Sequence, residues 1–349
     1  MKKRLIAISL LSGVLMTMPS LAQNVGSIQR LDPALAKIVP AKAAIQKVAG
    51  EFKFTEGPIW LKPGYLLFAD IPNNRIMKWV PGPNGSLPGT VSVYMHPSGY
   101  LGKKPYTGPE SGSNGMTLDK EGRLTVAGHA RRCVYRVEKD GSITVLAARY
   151  HGKRLNSPND LVYASDGSLY FTDPPYGLPT QKETDRLKEL PFAGVYRIPR
   201  AFDQKPGSPP NDAKLELLVK DLLRPNGIAF SPDGKFLYVD NSEPQELYMR
   251  YEVMPDGTLA HGKVFYDVTS APETGNPDGM KVDVEGNVYA TGPGGVWIFS
   301  PHGKHLGTIK PPEIPANCNW GGADGKTLYM TARTGLYRIH LLIPGIRPE

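Results

Sequence analysis

Short apolar runs separated by turn residues dominate the sequence, and this pattern predicts paired β-strands. In the stretch Arg224–Asn241, a short run opened by Asn226 leads through Ser-Pro-Asp-Gly to the apolar residues Phe236–Val239 and ends at Asp240. Two short strands joined by an Asp-Gly turn are typical of a β-hairpin. The sequence therefore predicts a hairpin with a polar side chain at each open end.

The same hairpin pattern occurs six times, with the two open-end positions fourteen residues apart in every copy. The leading positions are Glu56, Asn114, Asn159, Asn226, Asp278 and Asn317. The trailing positions are Asp70, Gly128, Asp173, Asp240, Gly292 and Thr331. Successive copies begin 39 to 67 residues apart, an irregular spacing that fits a repeated β-unit with variable insertions. We therefore predict an all-β fold, a six-bladed β-propeller closed around a central channel.

The segments outside the repeat predict how the ring closes and what covers it. Residues 44–345 are predicted to form one propeller domain. Residues 44–49 alternate like an edge strand that completes the last blade and leaves no exposed sheet edge at the seam. Residues 23–43 are expected to be an extended leader. The insertion 176–191 is long enough to predict a lid over the channel mouth, with a plain surface loop as the alternative. Its charged part, 181–190, predicts a short helix.

The N-terminus has the features of a secretory signal peptide. Three basic residues precede an apolar run, and small residues precede a cleavage point after Ala22. Residues 1–22 are therefore predicted to be removed, and the protein to be periplasmic or secreted. A retained membrane anchor is the alternative, which the short apolar run disfavours. Removal lowers the net charge from +8 to +5, and the basic residues are scattered, so no nucleic-acid partner is expected. After cleavage no membrane association is expected, because no other stretch is long and apolar enough to span a bilayer.

The composition agrees with a turn-rich β-fold. Glycine and proline contribute 38 and 34 residues, which fits frequent turns and argues against a helical bundle. Cys133 and Cys318 lie in the second and sixth repeats, which are not neighbours in a six-blade ring. We therefore predict two packed thiols and no disulfide.

Closure of the ring would bring the leading side chains together at one mouth of the channel. Two carboxylates, Glu56 and Asp278, and two carboxamides, Asn159 and Asn226, form a set of oxygen ligands without histidine or cysteine. Such a set favours Ca²⁺. Mg²⁺ is the closest alternative, and Zn²⁺, which prefers nitrogen or sulfur ligands, and Mn²⁺ are the others. The competing interpretation is that Asn and Asp merely suit turns and strand starts.

Further polar side chains are predicted around this ring. Asp70, Asp173 and Asp240 lie on the returning strands and are predicted to accept hydrogen bonds from the asparagine amides. Alternatively, they cap backbone N–H groups at the strand ends. The predicted substrate contacts are Asn114, His129, Arg131, Tyr176 and Asn317.

Several motifs carry a family resemblance. They include Phe54-Thr-Glu-Gly-Pro-Ile-Trp60, Ser157-Pro-Asn-Asp160, Arg224-Pro-Asn-Gly227 and Asn276-Pro-Asp-Gly-Met280. In this order they resemble the gluconolactonase/senescence-marker-protein family, and Gly128-His-Ala-Arg-Arg132 resembles its bacterial gluconolactonase branch.

The resemblance implies a six-bladed propeller with one divalent ion, usually calcium, in the channel. It implies Glu56, Asn226 and Asp278 as metal ligands, Asn159 as a fourth ligand or substrate contact, and Asp278 as the acid–base residue. Animal members have an arginine where this chain has Ser157, so their substrate preference does not transfer.

These observations predict a metal-dependent lactonase that opens sugar lactones such as glucono-1,5-lactone. The cation would polarise the carbonyl group, while Asp278 takes a proton from water and returns it to the ring oxygen. One alternative is a hydrolase of aryl esters or organophosphates, favoured by an aromatic mouth. That mouth would consist of Tyr100, Tyr106, Tyr176 and Trp320. The other alternative is a non-catalytic binding propeller that contains calcium.

Overall fold

The computed structural model describes residues 24–348 and contains six antiparallel sheets of four or five strands, arranged as the blades of a ring. The first strand of each blade contacts the first strand of the next, and the sixth blade contacts the first in the same way. The predicted six-bladed β-propeller is therefore confirmed. The predicted signal peptide, residues 1–22, lies outside the described residues.

Each blade contains four strands of the repeat in chain order, except the last, which borrows its fourth. Blade one comprises Thr55–Leu61, Tyr65–Asp70, Arg75–Val80 and Thr90–Met95. Blade two comprises Met116–Leu118, Leu124–Gly128, Cys133–Val137 and Ile143–Ala147. Blade three comprises Leu161–Tyr163, Leu169–Asp173, Gly194–Ile198 and Glu216–Val219. Blade four comprises Pro225–Phe230, Phe236–Asn241, Leu247–Val253 and Leu259–Asp267. Blade five comprises Met280–Val282, Val288–Gly292, Gly295–Phe299 and His305–Lys310. Blade six comprises Pro315–Gly321, Thr327–Ala332 and Gly335–His340.

The ring is closed by the N-terminal segment. Gln46–Ala49 pairs antiparallel with Gly335–His340, which confirms that an N-terminal strand completes the last blade. A second strand, Ser27–Arg30, adds a fifth strand to blade five by pairing with His305–Lys310. Residues 23–43 were expected to be an extended leader, but they also contain this strand and the 3₁₀ helix Pro33–Lys37, which buries Leu35.

The remaining regular elements are short. A two-stranded sheet, Arg149–Tyr150 with Lys153–Arg154, follows blade two. The 3₁₀ helices are Pro33–Lys37, Ile71–Asn73, Pro83–Gly85, His129–Arg131, Ala201–Asp203 and Asp212–Lys214. None of the helices between residues 24 and 348 has the length and hydropathy that a bilayer crossing requires.

A glycine eight residues after each leading side chain makes the tight turn of the first hairpin. These glycines are Gly64, Gly122, Gly167, Gly234, Gly286 and Gly325, and all have positive φ angles. Other residues avoid this left-handed backbone region because their Cβ atom clashes there. The repeated turn gives all six hairpins the same geometry, which sets their leading side chains in equivalent positions.

The cores lie between neighbouring blades, so the second strand of a blade is covered on both faces. Leu169–Asp173, for example, is buried at every position. Cys133 and Cys318 are free and buried, as predicted.

The predicted helix at 181–190 is wrong, because this part of the insertion folds as consecutive turns. The side chain of Asp185 accepts hydrogen bonds from the backbone N–H groups of Thr180 and Leu187, both at 2.8 Å. An aspartate that binds nearby backbone groups in this way competes with the helical hydrogen bonds.

Candidate active site

Close packing of the innermost strands positions the leading side chains. Four of them are followed directly by a glycine: Gly57, Gly115, Gly227 and Gly279. At Gly115, an added Cβ would lie 2.6 Å from the backbone oxygen of Asn159 on the next blade, closer than atoms can approach. The backbone N–H of Gly115 donates to that same oxygen at 2.7 Å. These glycines therefore allow adjacent blades to place their leading side chains next to each other.

Five of the six leading side chains line one cavity of about 290 Å³. They are Glu56, Asn114, Asn159, Asn226 and Asp278. The sixth, Asn317, is buried outside the cavity, and its Nδ2 donates to Oε2 of Glu56 at 3.0 Å. Asn317, predicted to contact substrate, therefore holds the Glu56 carboxylate instead.

Several oxygen atoms of this cavity have no partner. Oε1 of Glu56 and the Oδ1 atoms of Asn114 and Asn159 are buried and accept no hydrogen bond from any described residue. Nδ2 of Asn226 donates to Oγ of Ser242 at 3.1 Å, which fixes the orientation of the Asn226 amide. Buried acceptors without a partner are costly, and a cation with oxygen ligands would satisfy them. The residues present therefore fit a divalent cation.

The electrostatics of the cavity favour the same occupant. Burial raises the pKa of Glu56, and the charge of Asp160 raises it further. Burial also raises the pKa of Asp278 well above its usual value, and the charge of Glu56 adds to this effect. A positive ion between the two carboxylates would offset both costs.

Asp160 and Lys281 also act on Glu56 through their charges, although neither was predicted from the sequence. Lys281 lies on the innermost strand of blade five, and Asp160 immediately precedes the innermost strand of blade three. Nζ of Lys281 is 3.3 Å from Oδ2 of Asp160. Asp160 directly follows Asn159, and Lys281 lies three residues after Asp278. Their distance in sequence from two leading residues could therefore have predicted that both lie near the cavity.

The donor set depends on carboxamides as well as carboxylates. Between residues 24 and 348, no three His, Cys, Asp or Glu side chains converge in a way that could hold a metal ion. An ion in this cavity would therefore need the asparagine oxygens, which suit hard cations.

The trailing carboxylates bind backbone N–H groups, as the alternative interpretation of the sequence expected. Asp173 accepts hydrogen bonds from the N–H groups of residues 156–157 at 2.8 and 2.7 Å. Asp70 binds the equivalent N–H groups in blade one, and Oδ1 of Asp240 accepts from the N–H of Gly227 at 3.1 Å. These carboxylates thus fix the backbone close to the leading residues, and none of them holds an asparagine amide of the ring.

His129 does not reach the cavity. The ring is fully buried, with Nδ1 3.2 Å from the carbonyl oxygen of Pro158 and Nε2 2.8 Å from Oε2 of Glu110. Glu110 lines the cavity, and its Oε1 accepts a hydrogen bond from Nε2 of Gln181 at 2.9 Å. His129 therefore positions Glu110. Glu110 itself was not predicted as a site residue, because it lies in a loop outside the repeat.

The predicted aromatic mouth is mostly absent. Tyr176 lines the cavity, but Tyr100 and Tyr106 line a different one, and Trp320 is buried in the core. Arg131, also predicted to contact substrate, lies in that second cavity.

The insertion 176–191 occupies the space next to Ser157. Oγ of Ser157 accepts a hydrogen bond from the N–H of Gly177 at 2.8 Å. A Cβ on Gly177 would lie 2.7 Å from both Cβ of Ser157 and Cδ2 of His129. An arginine at position 157 would therefore displace the insertion, which explains why the small serine fits here.

Comparison with known proteins agrees with this geometry. The model of the SMP-30/Gluconolactonase/LRE-like region matches residues 54–334. The chain belongs to this family. It is 37% identical over 331 residues to a gluconolactonase of Zymomonas mobilis, covering 90% of this chain and 86% of that protein. A regucalcin of Oryctolagus cuniculus is 26% identical over 288 residues, covering 80% and 84% of the two chains.

A solved structure of another family member has the same fold. The gluconolactonase of Xanthomonas campestris superposes with a TM-score of 0.74 at 31% identity, covering 91% of this chain and 97% of that one. The family region of this chain includes all five leading side chains that line the cavity. The SMP-30/gluconolactonase match therefore covers the whole candidate site.

Proposed function

We propose that this chain is a divalent-metal-dependent lactonase, with Ca²⁺ as the ion and sugar lactones such as glucono-1,5-lactone as substrates. Its similarity to gluconolactonases supports a hydrolase that acts on lactones. The observation that carries the proposal is one cavity that combines the carboxylates of Glu56 and Asp278 with unpartnered carboxamide oxygens. The residues that would hold the ion are Glu56, Asn159, Asn226 and Asp278.

A bound cation would polarise the lactone carbonyl and offset the negative charge that develops during hydrolysis. The chain's own residues do the rest. Asp278 lines the cavity and would take a proton from the attacking water, then return it to the ring oxygen as the ring opens. Asn317 would hold Glu56 in place through its hydrogen bond to Oε2.

The polar lining supports a polyhydroxylated substrate. Glu110 lines the cavity and is held by His129 and Gln181, so its carboxylate is oriented to accept hydrogen bonds from sugar hydroxyl groups. Asn114 and Tyr176 lie on the same cavity. Of the four aromatic residues expected at the mouth, only Tyr176 lines this cavity. This weakens the case for aryl esters or organophosphates as substrates. The basic and apolar pattern of residues 1–22 supports a periplasmic or secreted location.

Metal removal and replacement test this proposal. The protein would be stripped with a chelator, reloaded singly with Ca²⁺, Mg²⁺, Zn²⁺ or Mn²⁺, and assayed for acid release from sugar and aliphatic lactones. We expect activity to disappear on stripping and to return best with Ca²⁺, with sugar lactones preferred. Unchanged turnover in the stripped protein would refute the metal dependence, and no acid release with any metal would refute the lactonase.

A further inference from the structure

A second cavity, of about 320 Å³, lies beside blade two. Its walls come from the loop 100–106, the insertion 176–191 and the ends of blade two. Its lining includes three arginines and no carboxylate: Arg131, Arg132 and Arg154. The first cavity has the opposite character, because four carboxylates and a single arginine line it. The charged side chains that line the two cavities are therefore predominantly of opposite sign.

Two of these guanidinium groups have no acidic partner. Within the described chain, no carboxylate oxygen lies within 4.0 Å of the side-chain nitrogens of Arg131 or Arg154, since the ion pairs there involve other residues. The Arg131 guanidinium lies 5.1 Å from the ring centre of Tyr135, and Nη2 of Arg154 donates to the backbone oxygen of Arg131 at 3.3 Å. Their charges are therefore not neutralised by the protein.

Arg132 is the buried member of the group. Its side chain is only 6% exposed, and Nε donates to the backbone oxygen of Leu155 at 2.7 Å. Nη2 has no hydrogen-bond partner among residues 24–348. The nearest carboxylate, Glu189, is 3.8 Å from Nη2 and 40% exposed, and its other oxygen accepts from the N–H of Arg154. A buried guanidinium with an unused donor indicates a binding site for an acceptor.

Two more distant carboxylates direct their oxygens at backbone N–H groups, and neither of them lines the cavity. Asp173 accepts from the backbone N–H groups of residues 156–157. Asp185 accepts from the N–H groups of Thr180 and Leu187. The charged groups that line the cavity itself are therefore all guanidinium groups.

We propose that this second cavity binds a small organic anion through a carboxylate or phosphate group. Guanidinium groups bind both oxyanions with paired, charge-assisted hydrogen bonds. The rings of Tyr100 and Tyr106, whose centres are 5.0 Å apart, and the side chain of Leu178 provide walls for the carbon skeleton. The volume lies in the range of small-molecule sites. A sugar acid, the type of product that a sugar lactonase releases, has this chemistry.

Calorimetric titration tests this site. The untreated protein would be titrated at low ionic strength with sodium gluconate, with inorganic phosphate and with the neutral polyol glucitol. Arg131→Gln and Arg154→Gln remove charge from the cavity, while Arg200→Gln is the matched control, because Arg200 is exposed, pairs with Asp203 and lines neither cavity. We expect an anion to bind, glucitol not to bind, and the Kd to rise at least about tenfold in both cavity variants only.

The outcomes separate the two oxyanions and the two cavities. Binding of gluconate alone assigns the site to carboxylates, and binding of phosphate alone assigns it to phosphates. Binding of neither anion would overturn the proposal. So would gluconate binding that is lost in Glu110→Gln but unchanged in Arg131→Gln and Arg154→Gln, because the ligand would then occupy the first cavity. The measurement concerns binding, so its result does not depend on lactonase activity.

Discussion

Replacing Gly115 by alanine should damage the site without preventing folding. Gly115 follows Asn114 at the start of blade two and contacts the backbone of Asn159 in blade three. Its φ angle is not in the left-handed region, so alanine can adopt the backbone conformation. The only obstacle is the space that the added methyl group needs.

The required movement can be read from the structure. The new Cβ would lie 2.6 Å from the Asn159 oxygen and 2.8 Å from Cα of Asp160, whereas ordinary contacts begin near 3.4 Å. Both atoms belong to the backbone, so neither can move away by a side-chain rotation. Blades two and three must therefore separate by roughly 0.8 Å. Overpacking of this kind costs about 1–3 kcal/mol of stability. A misplacement of about 1 Å in an active site lowers activity by up to about 10²-fold.

Gly122→Ala is the matched control. Gly122 lies in the turn of the same hairpin, has a φ of +76°, and has no atom near its missing Cβ within 4 Å. Alanine there should cost about 1–2 kcal/mol through backbone strain, without reaching the site. We expect similar falls in Tm for both variants but a fall in kcat/KM, measured by acid release, of about 10- to 100-fold only for Gly115→Ala. Equal activity in the two variants would refute the role assigned to the glycines of the ring.

Three further predictions concern single side chains. Asp278→Asn should lower kcat by at least about 10²-fold, while calorimetry should show that the variant still binds Ca²⁺. Retained turnover in the Ca²⁺-loaded variant would reject Asp278 as the base. Glu110→Gln should raise KM about tenfold for gluconolactone but not for an aliphatic lactone; an equal effect on both would argue against hydroxyl recognition. Burial lowers the pKa of His305 from 6.5 to about 4, so its contribution to stability is complete above pH 6.5 and is lost as the pH falls towards 4. The wild-type Tm should therefore fall more between pH 7 and pH 5 than that of His305→Phe, which keeps the stacking on Trp297, and parallel curves would contradict this.

The repeated part of the molecule could be predicted because each copy contains the same physical constraints. The leading polar residue, the turn glycine eight residues later and the buried returning strand recur in six hairpins. Ring closure by the N-terminal strand could then be predicted, because the last blade lacked a fourth strand and its open edge would otherwise remain at the seam. The predicted convergence of Glu56, Asn226 and Asp278 on one cavity depended only on this repetition.

The segments outside the repeat could not be predicted in the same way. Glu110 contacts His129 across nineteen residues of sequence, and no periodicity links them. His129 directly follows the trailing position Gly128 but points into the protein, because Glu110 and the Pro158 carbonyl oxygen satisfy its two nitrogens there. At 181–190, a charged stretch suggested a helix, but the hydrogen bonds of Asp185 form turns instead.

This division between repeat and insertion has a functional consequence. The hairpins supply the proposed ion ligands from positions that ring closure fixes, so the cation site should tolerate little change. Glu110, Tyr176 and Gln181 instead come from the loop after blade one and from the insertion, and the same two segments also wall the second cavity. Changes in these segments can therefore alter which lactone binds, and which anion binds beside it, without moving the proposed ligands. Substrate choice should then follow the insertions of this family and not its blades.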